Sequence, residues 1–432
     1  MDTYRTDDII YALATGWVRS ALAVIRISGK GCIARFAPVF TASQKLLSAQ
    51  NGTLVYGEVK GIDQVVVSVY RDGHGYTGEE ALEISCHGSL VGIQKLLDTC
   101  GRLGFRQAGR GEFTYRAFAH GRMDLTQAEA VEELVDSMSD KGQSQALGRL
   151  NGSLKMKLAE VRKRFLQAMA AIEVQLDYSE DELDEFIFPR TQLESIVHDV
   201  ECLDATYQVG RLYGEGAKVV LAGHTNVGKS SLFNLLLHEQ RAIVSPVPGT
   251  TRDWLEERVV IDSIPIRLYD TAGLRESGDI VESEGISRTR GLLAEADLVV
   301  YLHEDGDGHA PEGEHVLSVW AKNDLVPHKG LAISTKTGEG IKELLAAIAA
   351  RLRKSLPESE GEVVIQSRRQ HELLGEIVKD ITSALALESQ GVPLDIVSSV
   401  LQEGLSALGE ITGAVTSAEI LETIFSGFCV GK

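Results

Sequence analysis

No part of this chain stays apolar for long. Runs such as 298–302 and 235–237 fall far below the roughly 18 residues that a membrane-spanning helix needs. The opening MDTYRTDDII carries three Asp and lacks the basic-then-apolar order of a secretory leader, so no membrane association is expected. Cysteine is scarce. The five residues, Cys32, Cys86, Cys100, Cys202 and Cys429, are odd in number and form no CxxC. That argues against zinc ribbons and disulfide frameworks and fits a reducing, cytoplasmic setting. Positive charge is short too: 43 Lys and Arg face 62 Asp and Glu, for a net −19. Such a surface repels a phosphate backbone and disfavours indiscriminate nucleic-acid binding. A local exception is Arg102, Arg106, Arg110, Arg116 and Arg122, a stretch whose only acid is Glu112. It is either a basic patch or a set of plainly solvated arginines. No internal repeat is visible.

What is present is an ordinary globular composition, 44% apolar and 24% charged over 432 residues. That length suggests about three domains. Residues 21–27 (ALAVIRI), 54–60 and 64–70 are β-branched runs bounded by turn residues, and 90–103 has helical spacing, an α+β pattern. From about 124 the texture changes. Residues 124–177 lack proline and repeat apolar residues every three or four positions, as in Leu125, Ala128, Val131 and Leu134, then Leu154, Leu158, Val161 and Phe165. Long amphipathic helices follow from that spacing. The acidic run 179–185 reads as a solvated loop or helix end, and 192–209 as one more helix. Strands are expected at 218–222, 258–261, 266–269, 298–302, 316–320 and 331–333, alternating with helices, the mark of a mostly parallel sheet. Beyond Pro357 the helical spacing returns at Leu373, Ile377, Ile381 and Leu385, then Val397, Leu401, Leu405 and Leu408.

The sharpest chemical signal is Gly223-His224-Thr225-Asn226-Val227-Gly228-Lys229-Ser230, between a strand (KVVLA) and a helix (SLFNLLL). That is the context of a phosphate-binding P-loop. Glycines let backbone N–H groups curl around phosphates, Lys229 supplies a point charge, and the Ser230 hydroxyl suits Mg2+. Ser231 follows within the helix N-terminus, whose partial positive charge favours anions. Asp270-Thr271-Ala272-Gly273 ends a later strand, where an Asp can hold Mg2+ through water. Gly249-Thr250-Thr251-Arg252-Asp253 lies where a switch threonine is expected, and Ser334-Thr335-Lys336 matches a base-binding loop. In this order the motifs spell a GTPase. The α/β region is therefore expected to be a Ras-like G domain over 213–356. Around it lie an N-terminal α+β domain over 1–120 and a discontinuous helical domain over 121–212 and 357–432.

Two positions depart from a standard GTPase. The guanine-reading motif Asn-Lys-x-Asp is here Ala321-Lys322-Asn323-Asp324, so Asp324 is kept and the Asn is lost. After Asp-Thr-Ala-Gly comes Leu274, where Ras-like proteins carry a water-orienting Gln. No arginine finger is evident. The Asn226 side-chain oxygen is a candidate ligand for a monovalent cation that supplies the finger's charge; the alternative is a brace within the P-loop. Glu282 and Glu284 are candidate water-orienting carboxylates.

Together with Tyr76-Thr77-Gly78-Glu79, Leu82-Glu83, His87-Gly88, Gly111-Glu112-Phe113-Thr114, Arg116-Ala117-Phe118, Gln127-Ala128-Glu129-Ala130 and the terminal Phe428-Cys429-Val430-Gly431-Lys432, these motifs resemble the bacterial MnmE (TrmE) family of tRNA-modification GTPases along the whole chain. The resemblance implies a homodimer, formed through an N-terminal domain that binds 5-formyl- or 5,10-methylene-tetrahydrofolate. It implies a complex of heterotetramer type with the flavoprotein MnmG (GidA). That complex acts on tRNA and installs an aminomethyl-type group on carbon 5 of the wobble uridine. GTP hydrolysis is expected to need Mg2+ and to be stimulated by K+. By motif, Arg26, Glu83, Arg122 and Lys432 match folate-contacting positions. Asn226, with Ser245, Val247 and Thr250, matches the K+ site; Ser230 and Thr251 match the Mg2+ ligands; Glu282 matches the water-orienting glutamate. Lys229, Val227, Gly228, Lys322 and Asp324 complete the GTP contacts. Ala119-His120-Gly121-Arg122 departs from the family's usual Leu-Asn-Gly-Lys. Arg26 is alternatively a strand arginine paired to an acid. Cys429 is either a reactive thiol or a small buried residue in a C-terminal helix. The competing reading of the whole is a GTP-dependent switch or ribosome-assembly factor with no chemical role.

Overall fold

The computed structural model describes residues 5–177, 188–239, 256–270, 291–304, 313, 315–354 and 363–432. The chain forms two compact units, Met1–Glu132 with Leu408–Lys432, and Glu133–Ala407.

The first unit is built on a six-stranded sheet. Its strands are β1 (Ile10–Leu13), β2 (Ser20–Ser28), β3 (Thr53–Val59), β4 (Asp63–Tyr70), β5 (Ala81–Gly88) and β6 (Arg106–Gln107), in the order β3-β4-β5-β2-β1-β6. All pairs are antiparallel except β1 with β6. Alternation sets the faces. In β4, Val65, Val67 and Val69 are buried while the residues between them are partly or fully exposed. The buried face packs on the helices Cys32–Phe36 and Leu90–Arg102, the latter capped by Ser89 accepting from the Gly92 amide and contributing Ile93, Leu96 and Cys100 to the core. The α+β expectation holds. The helix Ala418–Ser426 seats Phe425 edge-on against Tyr115 of the helix Glu112–Ala119, ring centres 5.5 Å apart. The chain then runs to Lys432 beside the sheet.

In the second unit, β7 (Ala217–Gly223), β8 (Glu256–Ile261), β9 (Ile264–Asp270), β10 (Leu298–His303) and β11 (Val316–Trp320) form a sheet in the order β11-β10-β7-β9-β8. It is parallel apart from the β8–β9 hairpin. Val219, Leu221, Val300 and Leu302 pack with Leu232, Leu236, Leu344 and Ile348 of the helices Lys229–Glu239 and Ile341–Lys354. The helices Asp140–Leu150, Ser153–Asp177, Arg190–Asp204, Tyr207–Glu215 and Arg368–Ser389, with most of Leu394–Thr412, make up the helical part.

Two local expectations need correction, and one of the two alternatives for Cys429 falls. The single helix at 192–209 is two, because the Thr206 hydroxyl donates to Leu203 O at 2.6 Å and accepts from the Ile365 amide at 3.1 Å. The strand at 331–333 is only a single bridge, Trp320 to Ala332. Cys429 lies past the end of the last helix at Ser426 and is exposed, so it is not a buried helical residue. The acidic run 179–185 lies outside the described residues.

Candidate functional site

Parallel strands present their C-terminal ends to a ligand where a strand order reverses. Here β7 leads directly into the loop 223–228 and the helix Lys229–Glu239. Gly223 takes φ 137°, and a Cβ there would stand 2.2 Å from Leu302 O, so only glycine lets β7 lie this close to β10. Asn226 sits in the left-handed region at φ 64°, so its turn is built without glycine. Lys229 is buried, with Nζ donating to the carbonyls of Gly223 at 3.0 Å and His224 at 2.7 Å. Its ammonium is held over the loop by oxygens that an outer phosphate would exceed in charge. The Ser230 hydroxyl donates to Asp270 Oδ2 at 2.7 Å, across from the end of β9. A hydroxyl and a carboxylate meeting at the mouth of a loop of amides form a hard-oxygen set that fits Mg2+.

The base-reading segment follows β11. Ser334 is fully buried and its hydroxyl donates to Asp324 Oδ1 at 2.7 Å, leaving the other carboxylate oxygen for a ligand. Lys322, at φ 58°, pairs with Glu304. Lys336 is exposed. The structure thus joins Lys229 to the P-loop carbonyls, Ser230 to Asp270 and Asp324 to Ser334. Ser245, Val247, Thr250, Thr251, Thr271, Ala272, Gly273, Leu274, Glu282 and Glu284 lie outside the described residues.

A second cluster forms in the first unit. Arg26 and Glu83 face each other across β2 and β5, with Arg26 Nε donating to Glu83 Oε1 at 2.9 Å. The Arg26 guanidinium also lies 5.3 Å from the ring centre of Tyr76 and 5.6 Å from that of Phe113. It donates to Gly431 O at 3.2 Å. The terminus reaches this place because Arg110 and Val430 bridge, Phe113 N donates to Lys432 O at 3.2 Å, and Gly431 takes φ 97°. Three of the four sequence candidates, Arg26, Glu83 and Lys432, are therefore gathered at one end of the sheet. Arg122 instead lays its stem against Gly78 of the loop that carries Tyr76. The aromatic walls, Tyr76 and Phe113, were missed as site residues although both belong to quoted motifs. Burial holds the Tyr76 phenol above its ordinary pKa, against the hydrogen bond with Thr114 and the nearby Arg26 charge.

The arginine stretch is not a continuous basic patch. Arg116 is fully buried and donates to Asp8 Oδ1 at 2.5 Å and Glu79 Oε1 at 3.2 Å. Arg106 pairs with Asp8 and Glu112. The neutralising acids Asp8 and Glu79 come from elsewhere in the chain, which a local charge count misses. Arg102, Arg110 and Arg122 remain exposed.

Comparison with known proteins adds a family. A model described as the MnmE helical domain matches residues 125–429, and one described as the GTP-binding protein TrmE N-terminus matches 9–122. The chain is 37% identical to the tRNA modification GTPase MnmE of Treponema denticola, covering 99% of both chains. It is likewise 37% identical to that of Carboxydothermus hydrogenoformans, covering 99% of this chain and 100% of the relative. Among solved structures it is similar to the G domain of the T. maritima FeoB iron transporter, with 27% identity over 31% of this chain and 98% of that one. The TM-score of that match is 0.22.

Proposed function

Since the chain belongs to the MnmE family and is thereby a GTP hydrolase of tRNA modification, we propose that K+ stimulates its hydrolysis and that it works with the flavoprotein MnmG. Its target would be carbon 5 of the wobble uridine, and its one-carbon source 5-formyl- or 5,10-methylene-tetrahydrofolate. The observation that carries the GTPase reading is the Ser230–Asp270 contact beside Lys229 at the C-terminal ends of β7 and β9.

Each residue has a separable task. Lys229 exchanges its two loop carbonyls for phosphate oxygens, and the P-loop amides orient the phosphates. Ser230 and Asp270, with Thr251 by family motif, would hold Mg2+, which when bound supplies positive charge between the outer phosphates. Asp324, steadied by Ser334, accepts from the guanine N1–H and amine. Asn226 would offer its side-chain oxygen to K+, with Ser245, Val247 and Thr250 around the ion, and Glu282 would orient water. In the first unit, Arg26 and Lys432 suit the carboxylates of a folate, Glu83 suits its ring N–H groups, and Tyr76 and Phe113 are apolar walls for its rings. Cys429 is proposed as a nearby thiol of that centre, its exposure leaving it accessible.

The proposal includes homodimerisation through the N-terminal domain and the boundaries 1–120, 121–212, 213–356 and 357–432. Among the described residues no helix is long and apolar enough to cross a membrane, and a cytoplasmic site is proposed. The Arg26–Glu83 cluster beside the terminus favours a chemical role over a pure timing switch, which needs no such cluster.

The test is hydrolysis in K+ and in Na+. Wild-type turnover should fall severely in Na+, and Asn226→Ala should remove the difference between the ions. An arginine finger is worth roughly 10³ to 10⁵ in rate, so an ion in its place should have a large effect. Equal wild-type turnover in the two salts refutes the K+ role. Nucleoside analysis of tRNA from cells lacking the protein tests the wobble-uridine role: an unchanged nucleoside profile refutes it.

A further inference from the structure

The loop that carries Asp324 is held by a neighbour rather than by the first residue of its own motif. Ala321 is buried, its amide donates to His303 O at 2.9 Å, and its methyl side chain offers no hydrogen bond. Two positions later Asn323 does what Ala321 cannot. Its Oδ1 accepts from the His328 amide at 3.0 Å, closing the loop 323–328. Its Nδ2 points at Glu339 Oε1, 3.5 Å away. Glu339 in turn accepts from the Ser334 amide through its carbonyl at 3.0 Å, and the Ser334 hydroxyl holds Asp324. The His328 ring also stacks on Trp320, the last residue of β11, at 4.1 Å and 8°. So one amide side chain links the loop bearing Asp324 to the loop gripping it, while the stack ties the loop's far end to the sheet.

We infer that Asn323 is a positioning residue for guanine recognition, supplying from within the loop the bracing amide that position 321 lacks. This rests on Asp324 being the guanine acceptor. The two positions then act as alternatives, and their effects on affinity should be non-additive. The experiment is a double-mutant cycle on the full chain, reading fluorescent GDP affinity, ADP affinity and kcat at saturating GTP. Asn323→Ala should weaken GDP binding about tenfold, the order of one lost net hydrogen bond, and leave kcat at saturation unchanged. Ala321→Asn should recover most of that loss in the Asn323→Ala background, yet change the wild type less than about threefold. If Asn323→Ala does not fold, Glu339→Ala reads the same brace from its other end, with a loss of about threefold that Ala321→Asn again recovers. Unchanged GDP affinity in the folded variant, or an equal effect of Ala321→Asn in both backgrounds, overturns the inference. A wild type that binds ADP as well as GDP refutes instead the guanine reading beneath it.

Discussion

The first unit holds two arginine–carboxylate clusters drawn from the same kind of motif, and they differ in what is left over. Around Arg116 the guanidinium is fully buried and its NH1 and NH2 are met by Asp8, Glu79, Glu112 and the carbonyls of Arg5 and Asp8. Glu79 in turn accepts from the Ser28 hydroxyl at 2.7 Å. Glu79 and Glu112 are buried with it, and Asp8 is the partner that keeps contact with solvent. Around Arg26 the side chains of arginine and glutamate stay 23% and 26% exposed. One bond goes to the chain terminus and the guanidinium lies against two aromatic rings. A buried, closed network fixes the fold; a partly open pair flanked by rings can exchange its partners for a ligand's. Motif membership does not separate the two, whereas burial of the guanidinium does.

The comparison breaks most sharply under truncation of each arginine. Arg116→Met leaves the buried Glu79 without its cation, while Arg106 still meets Asp8 and Glu112, and removing one partner of a buried ion pair typically costs about 3–5 kcal/mol. Urea denaturation should show a loss of that size. Arg26→Met removes a partly exposed pair, worth under about 1 kcal/mol, yet should abolish formyl-tetrahydrofolate binding in a calorimetric titration. Comparable stability losses in the two variants would erase the distinction. Glu83→Ala sharpens it further: folate binding should vanish while GTP binding persists.

A smaller effect is expected at the terminus. Gly431 holds φ 97°, and a Cβ there would meet Leu13 O at 2.6 Å. Gly431→Ala therefore strains the backbone by about 1–3 kcal/mol, a cost the chain relieves by releasing its last residues. Folate affinity should fall while the thermal transition moves less than in Arg116→Met. Unaltered folate affinity in Gly431→Ala would show that the terminus does not build the open cluster.

The open cluster was legible only through the family's motifs: Arg26 stands in an expected strand, but no strand was expected at β5, which carries Glu83, and no local pattern pairs β5 with β2. The P-loop was legible from its residues, its strand, glycines, lysine and serine being contiguous. The closed network was not. Arg116 finds Glu79 across 37 residues and Asp8 across 108, and no local charge count anticipates that. The break at Thr206 was hidden likewise, since its cause is the Ile365 amide, 159 residues away. The loss of Asn at position 321 is plain in the sequence, whereas the amide two positions later becomes a brace only once the loop closes on His328 and Glu339.

The smallest effect tests the closed network through pH. Burial alone would raise the Asp8 carboxyl, but hydrogen bonds from Arg106 and Arg116 outweigh it and hold the group below its ordinary pKa. A carboxyl depressed in the folded state binds its proton more readily when unfolded. Its stabilisation is therefore complete above the unfolded value, about 3.9, and is lost as pH falls through the lower folded value. Asp8→Asn removes this term at neutral pH and has nothing to remove in acid. Because Asp8 keeps contact with solvent, its share is discounted to roughly 1 kcal/mol, or about 2–4 °C in Tm for a unit of this size. The Tm gap between wild type and Asp8→Asn should then be open at pH 7 and close steadily below pH 4. A gap for Asp8→Asn that stays constant from pH 7 to pH 3 would mean that the Asp8 charge does not matter to the network, and that Arg116 is held by its carbonyl, Glu79 and Glu112 contacts.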